Sequence, residues 1–232
     1  MNNDTAILLF SRLPREEASV KGYGSTLGKK AALELAKGMV RSALHTAYAS
    51  GYPVFPILSD KQRGQTFGER LANSIEEVYH KGYAKVIVIG SDCPTLSAAI
   101  LQRAATGLQS DNLIAGPCSD GGVYLIGIHK DSYRRSMFLD IAWGTASVLH
   151  QLQQAAACAA LAFVTEEIKA DIDNSSDLFT WYHSHNRHPL SLLLTRLIAS
   201  LMRTWCSLLR LSIPSSIYIA RPFRGPPVVH TF

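Results

Sequence analysis

The chain has 232 residues, 47% of them hydrophobic, enough to bury a full core without disulfides. Its formal charge of +5 sits at one end: residues 1–182 sum to −1, while residues 183–232 carry six arginines and no acid. A body without excess positive charge gives no footing for nucleic-acid binding, and no apolar run is long enough for a transmembrane helix. The four cysteines, Cys93, Cys118, Cys158 and Cys206, form no CxxC pair. That argues against a structural zinc site or redox motif and for reduced thiols in the cytoplasm. The opening MNNDTAILLF lacks a basic leader region and reads as a first strand, not a signal peptide.

Apolar periodicity then alternates between strand and helix. Residues 6–10 form a first apolar strand, and 27–49 have helical spacing stopped by Gly51. Residues 54–58 are a second strand, 67–80 an amphipathic helix, and 85–89 a third strand. Ser97 caps a helix running to about Leu108. Short strands at 113–115 and 123–128 flank the turn GPCSDGG, and 145–160 is an alanine-rich helix. A strand at 162–164 and DIDNSSDL (171–178) lead into a last short helix. This order predicts an α/β fold with a mainly parallel sheet and helices on both faces over residues 1–182. Residues 183–232 read as a separate basic tail.

Three acidic loops follow predicted strands: Asp92 in GSDCP, Asp120 in GPCSDGG, and Asp171 and Asp173 in DIDN. Strand ends of a parallel sheet share one edge, so loops distant in sequence meet in space. Converging carboxylates suit a hard divalent cation, Mg²⁺ or Mn²⁺. Turn aspartates are common, and any one of these alone would carry no weight. Gly121 and Gly122 either let the backbone approach a ligand or form a plain turn. Trp143 in IAWGT either stacks on a base or sugar or belongs to the core.

The segments GSDCP, GPCSDGGVYLIGI, IAWGT and DIDNSSDL, in that order, resemble domain-of-unknown-function family 2064, as does QRGQTFGERL at 62–71. That family is similar to the GT-A superfamily of nucleotide-diphospho-sugar transferases, so the resemblance implies a Rossmann-like GT-A fold. It implies that Asp92 is the metal-binding aspartate after the third strand, with Asp120, Asp171 and Asp173 lining the same cleft. Glu69 and Arg70 match the family's helix-opening pair. The loop after the first strand departs from the family pattern. Lys21 fits the family's phosphate-contacting lysine, but Gly22 and Tyr23 stand where threonine and arginine are usual, with Lys29 and Lys30 nearby.

The tail holds an amphipathic helix at about 189–211. Arg196, Arg203 and Arg210, seven apart, share one face, opposite Leu190, Leu194, Leu197, Leu201, Trp205 and Leu208. Such an apolar arc needs covering by a membrane surface, by the body or by a second subunit. His183, His185 and His188 match no standard metal spacing and read as a polar linker.

The expected function is glycosyl transfer from a nucleotide-diphospho-sugar. Asp92 and Asp173 would hold the cation, and Asp120, in its Gly-rich loop, would act as general base or as a second metal contact. Lys21, Gly121, Gly122, Trp143 and Asp171 would bind substrate. The alternatives are a nucleotidyltransferase releasing pyrophosphate on the same fold, and a non-catalytic member binding a nucleotide or a partner. The expected location is the cytoplasm, with the tail able to reach the inner face of the membrane.

Overall fold

The computed structural model describes residues 4–185 and 187–208. Expectations for residues 209–232, and for the side chains of 202–208, lie outside the described residues. In chain order the elements are β1 (Thr5–Ser11), α1 (Pro14–Val20), α2 (Tyr23–Leu27), α3 (Lys29–Ala49), β2 (Val54–Leu58), α4 (Phe67–His80), β3 (Lys85–Ile89) and α5 (Ala98–Gly107). They continue with β4 (Asn112–Pro117), β5 (Val123–His129), α6 (Ser136–Leu139), α7 (Val148–Cys158), β6 (Ala162–Thr165), α8 (Ser175–Ser184) and α9 (Pro189–Leu208).

The six strands form one sheet in the order β2-β1-β3-β5-β4-β6. β1 pairs in parallel with β2 and β3, and β4 with β6; β5 alone runs antiparallel, between β3 and β4. The reason is local. Residues 118–122 are too few for a crossover, so the chain turns straight back as a hairpin. The reversed strand joins its neighbours without turning them over: β4 keeps the direction of β1 and β3. The ends of β1, β3 and β4 therefore open on the same edge.

Both faces of the sheet are covered, which is why its strands read as unbroken apolar runs. In β1, Ala6, Leu8 and Phe10 point to a core shared with α4, α6 and α7. Ile7 and Leu9 point to the opposite core, with α3 and α5. A third apolar cluster lies on the outer side of α3, where α2, α8 and α9 pack. There Leu190 and Leu194 of α9 are buried, and Leu193, Leu197 and Leu201 lie partly buried beside them. Gly38 of α3 makes the approach possible. A Cβ there would stand 2.5 Å from a methyl of Leu193. The apolar face of α9 is thus covered by the body as far as residue 201.

α8 extends through His183 and Ser184. His185 lies flat on the Trp181 ring at 5.3 Å, and His188 meets it edge-on at 5.1 Å. Burial, then the neighbouring His185, holds His188 below the usual histidine range. No helix among the described residues is long and apolar enough to cross a membrane.

Candidate functional site

A cleft of about 520 Å³ opens along the shared strand edge. It is lined by Lys21, Asp92, Asp120, Gly122, Trp143, Asp171 and Asp173, all singled out by the sequence. Gly121, the eighth, is not among the lining residues.

Each acid is placed by its element. Asp92 follows β3 within three residues. Asp120 sits in the β4–β5 turn, where its Oδ1 accepts the Gly122 N–H at 2.8 Å. Asp171 and Asp173 flank Ile172, which is 1% exposed and anchored in the third apolar cluster. Burying the middle residue of D-I-D leaves its two neighbours at the rim. The Ile172 N–H donates to the Asp92 carbonyl at 2.9 Å, pinning this segment to the end of β3. Beyond it, Asn174 caps α8 by accepting from Ser176 and Asp177.

The charges divide into two groups. Lys21 lies at the cleft floor, its side chain 5% exposed. Its Nζ stands 3.3 Å from Asp92 Oδ2, 3.0 Å from Asp173 Oδ1 and 3.2 Å from Glu17 Oε1, and donates to the Ile172 carbonyl at 2.5 Å. Burial works against this charge, but attraction to Asp92, Tyr23, Glu17 and Asp173 outweighs it and holds the lysine above its ordinary range. Asp92 and Asp173 are thus brought together, with the ammonium between them.

The second group is Cys118, Asp120 and Asp171, whose ligand atoms lie within 4.8 Å of one another. Among the described residues, no ion pair joins either aspartate to a base. Burial, then repulsion from Asp173, Asp120 and Asp92, pushes the Asp171 carboxyl up to about 6. Two adjacent carboxylates, one made reluctant to ionise by burial and then by the others, fit a hard divalent cation, which would offset both. The buried Cys118 thiol is a soft donor and adds little for Mg²⁺ or Mn²⁺.

Trp143 is both packed and cleft-lining. Its Nε1 donates to the Phe138 carbonyl at 2.9 Å and its ring packs 4.9 Å from Phe67, yet it also walls the cleft. Gly121 has φ +91°, and its close approach is to the chain itself: a Cβ would collide with the Ala146 carbonyl. The Leu149 N–H then reaches the Gly121 carbonyl at 3.0 Å. Glu69 is a helix cap. It accepts from the N–H groups of Gln65 and Thr66, while Thr66 Oγ1 accepts the Glu69 N–H at 3.1 Å. These bonds hold its carboxyl below the usual range.

Arg12 and Glu17, which carry no motif of their own, also line the cleft, with Gln62 of QRGQTFGERL and a buried Ser11–Ser91 hydroxyl pair 2.7 Å apart. Arg12 follows the end of β1 directly, the same signal that singled out Asp92. Arg12 Nη1 pairs with Glu17 at 3.2 Å, and Arg70, also in the lining, donates to the Gln65 carbonyl.

The chain is similar in structure to a "putative nucleotide-diphospho-sugar transferase" from Desulfovibrio desulfuricans G20. The TM-score is 0.76 at 25% identity, covering 88% of this chain and 98% of the other. Rv0371c of Mycobacterium tuberculosis H37Rv, in complex with manganese, gives TM-score 0.40 at 12% identity over 76% of this chain and 96% of that one. Glucosyl-3-phosphoglycerate synthase of Mycobacterium tuberculosis, with Mg²⁺ and uridine diphosphate, gives 0.37 at 11% over 81% and 80%. The last two are too distant to bear on this site. No curated protein matches the chain. Residues 33–145, which contain QRGQTFGERL, GSDCP, GPCSDGG and IAWGT, match the family described as "Uncharacterized protein conserved in bacteria (DUF2064)", in agreement with the resemblance, and the chain shares its fold with the Desulfovibrio protein.

Proposed function

We propose that the chain transfers a sugar from a nucleotide-diphospho-sugar to an acceptor hydroxyl in this cleft. The observation that carries the reading is the convergence of four aspartates from three loops on one strand-edge cleft. The likeness to the Desulfovibrio protein points the same way.

A divalent cation held by Asp120 and Asp171 would neutralise the diphosphate and stabilise the departing nucleoside diphosphate. Asp120 is read here as a cation ligand through Oδ2, its Oδ1 accepting the Gly122 N–H; the proton of the acceptor hydroxyl passes to the departing diphosphate oxygen. Arg12 and Arg70 supply the positive charge for phosphate oxygens that Gly22 and Tyr23 do not. Their guanidinium groups suit bidentate contact. Trp143, fixed through its Nε1, offers a rigid ring face to the sugar or base.

Thermal unfolding of the whole chain against a panel of nucleotide-sugars, with and without Mn²⁺, tests this. One nucleotide-sugar is expected to raise the Tm in a metal-dependent way, because a ligand of the native state stabilises it by mass action. Asp171→Asn should abolish the shift. Pyrophosphate release from a nucleoside triphosphate would replace sugar transfer with nucleotidyl transfer. No shift with any nucleotide would overturn both.

A further inference from the structure

We propose that His188 is a proton-operated latch on α9: its neutral ring holds the helix against the body, and protonation releases the helix. The latch does not depend on what the cleft transfers.

His188 stands at the N-cap of α9. Its carbonyl accepts the Ser191 and Leu192 N–H groups at 2.9 and 3.2 Å, and Pro189 takes the first helical position. The side chain caps as well, Nδ1 accepting the Leu190 N–H at 3.2 Å. An accepting Nδ1 puts the ring proton on Nε2. The ring also bonds the backbone of Pro94, in the loop after β3, and a proline offers only its carbonyl, so Nε2–H donates there. One neutral imidazole thus joins the first turn of α9 to the loop that carries Asp92.

A proton on Nδ1 removes the acceptor and sets one N–H against another. It also places a positive charge at the positive end of the helix. His185 behaves differently. Its Nδ1 meets the Trp181 carbonyl at 3.0 Å and must donate, so Nε2 can take a proton without breaking that bond. Among the described residues, His185 of α8 is the titratable group that acts on the His188 ring; the loop after β3 presents the Pro94 carbonyl. Burial and His185 both disfavour the charged ring, so docking holds above the ordinary histidine range and weakens as the pH falls below it.

Release of α9 reaches the cleft. Leu190 and Leu194 are buried in the same cluster as Tyr23 and Ile172. The Tyr23 hydroxyl and the Lys21 ammonium both donate to the Ile172 carbonyl, so the cluster sealed by α9 seats the segment between Asp171 and Asp173.

Amide hydrogen exchange of the full chain at about pH 7.5 and about pH 5.5, corrected for the intrinsic rate, tests the latch, with α4 as internal reference. Wild type is expected to lose about fivefold in protection over residues 190–201 at the lower pH, the worth of one N-cap, while α4 keeps its own. His188→Asn, a cap that does not titrate, should protect α9 equally at both pH values. His188→Ala should show the loss at both. Unchanged α9 protection in wild type, or the same acid loss in His188→Asn, would overturn the proposal. So would a loss shared equally by α4, which marks global unfolding. Should the His188 variants fail to fold, His185→Gln decides beside wild type. An acid loss that persists there assigns the switch to His188, and one that disappears assigns it to His185 and overturns the proposal.

Discussion

Gly121→Ala is the substitution whose consequence the structure fixes most tightly. Two costs combine. Alanine at φ +91° is strained by about 1–2 kcal/mol. Its Cβ would also fall on the Ala146 carbonyl oxygen, with the carbonyl carbon at 2.9 Å and Cα at 3.0 Å. Those are backbone atoms, so the 146 segment must move, at about 1–3 kcal/mol. The sum is about 2–5 kcal/mol, a Tm loss of roughly 10 °C for a domain of this size. Gly122→Ala is the control one residue away. Its φ is ordinary, and the added Cβ meets only the Asp120 Oδ1 at 3.1 Å, the free end of a side chain. It should cost under about 1 kcal/mol but displace the Asp120 carboxylate and weaken Mn²⁺ binding. Urea unfolding and Mn²⁺ titration on both variants separate fold from site. Equal stabilities for the two alanines would refute the argument that Gly121 exists for chain-on-chain packing.

Further outcomes follow from other parts of the molecule. Thr66→Ala removes the acceptor of the α4 capping box and should cost about 1 kcal/mol, read as a Tm drop of roughly 2–4 °C. Asp171, raised to about 6, must lose its proton to bind a cation. Mn²⁺ affinity should therefore fall about tenfold from pH 7 to pH 5; a flat profile would remove Asp171 from the ligand set. The metal-free protein should behave oppositely. The unfolded chain releases this proton first, so stability falls as pH rises from about 4 to 6, by about 1–2 kcal/mol after solvent screening. Leu194→Ala, at a side chain with 0% exposure, should destabilise the protein by about 2–4 kcal/mol in urea without any membrane present. No change would mean that α9 is not held by the body.

The parts legible in the sequence were those written in one unbroken stretch. The apolar runs of β1, β2 and β3 and the periodic α4 are local signals, and the structure places them where periodicity does. α1 and α2 escaped because seven and five residues are too few to show a period, although Pro14 and two glutamates mark the start of α1. The acids were legible because each follows a strand. Their division was not. That Lys21 would go to Asp92 and Asp173 depends on contacts spanning 71 and 152 residues, set by the burial of Ile172 and the curl of α1. The second role of Trp143, as a core residue and wall at once, likewise needed Phe138 and Phe67 in place.

The position of Pro56 has a consequence outside the cleft. β2 is one border strand of the sheet among the described residues. The Pro53 carbonyl accepts from Ile7, so alternate residues, Phe55 and Ile57, turn their polar groups toward β1 while Val54, Pro56 and Leu58 turn theirs outward. Proline thus stands where an outward N–H would invite a foreign strand. The opposite border, β6, is only four residues long. Both margins are poor templates for growth by strand addition. Pro56→Val should restore a donor at the border and show itself as rising light scatter during storage at high concentration, long before any change in the cleft.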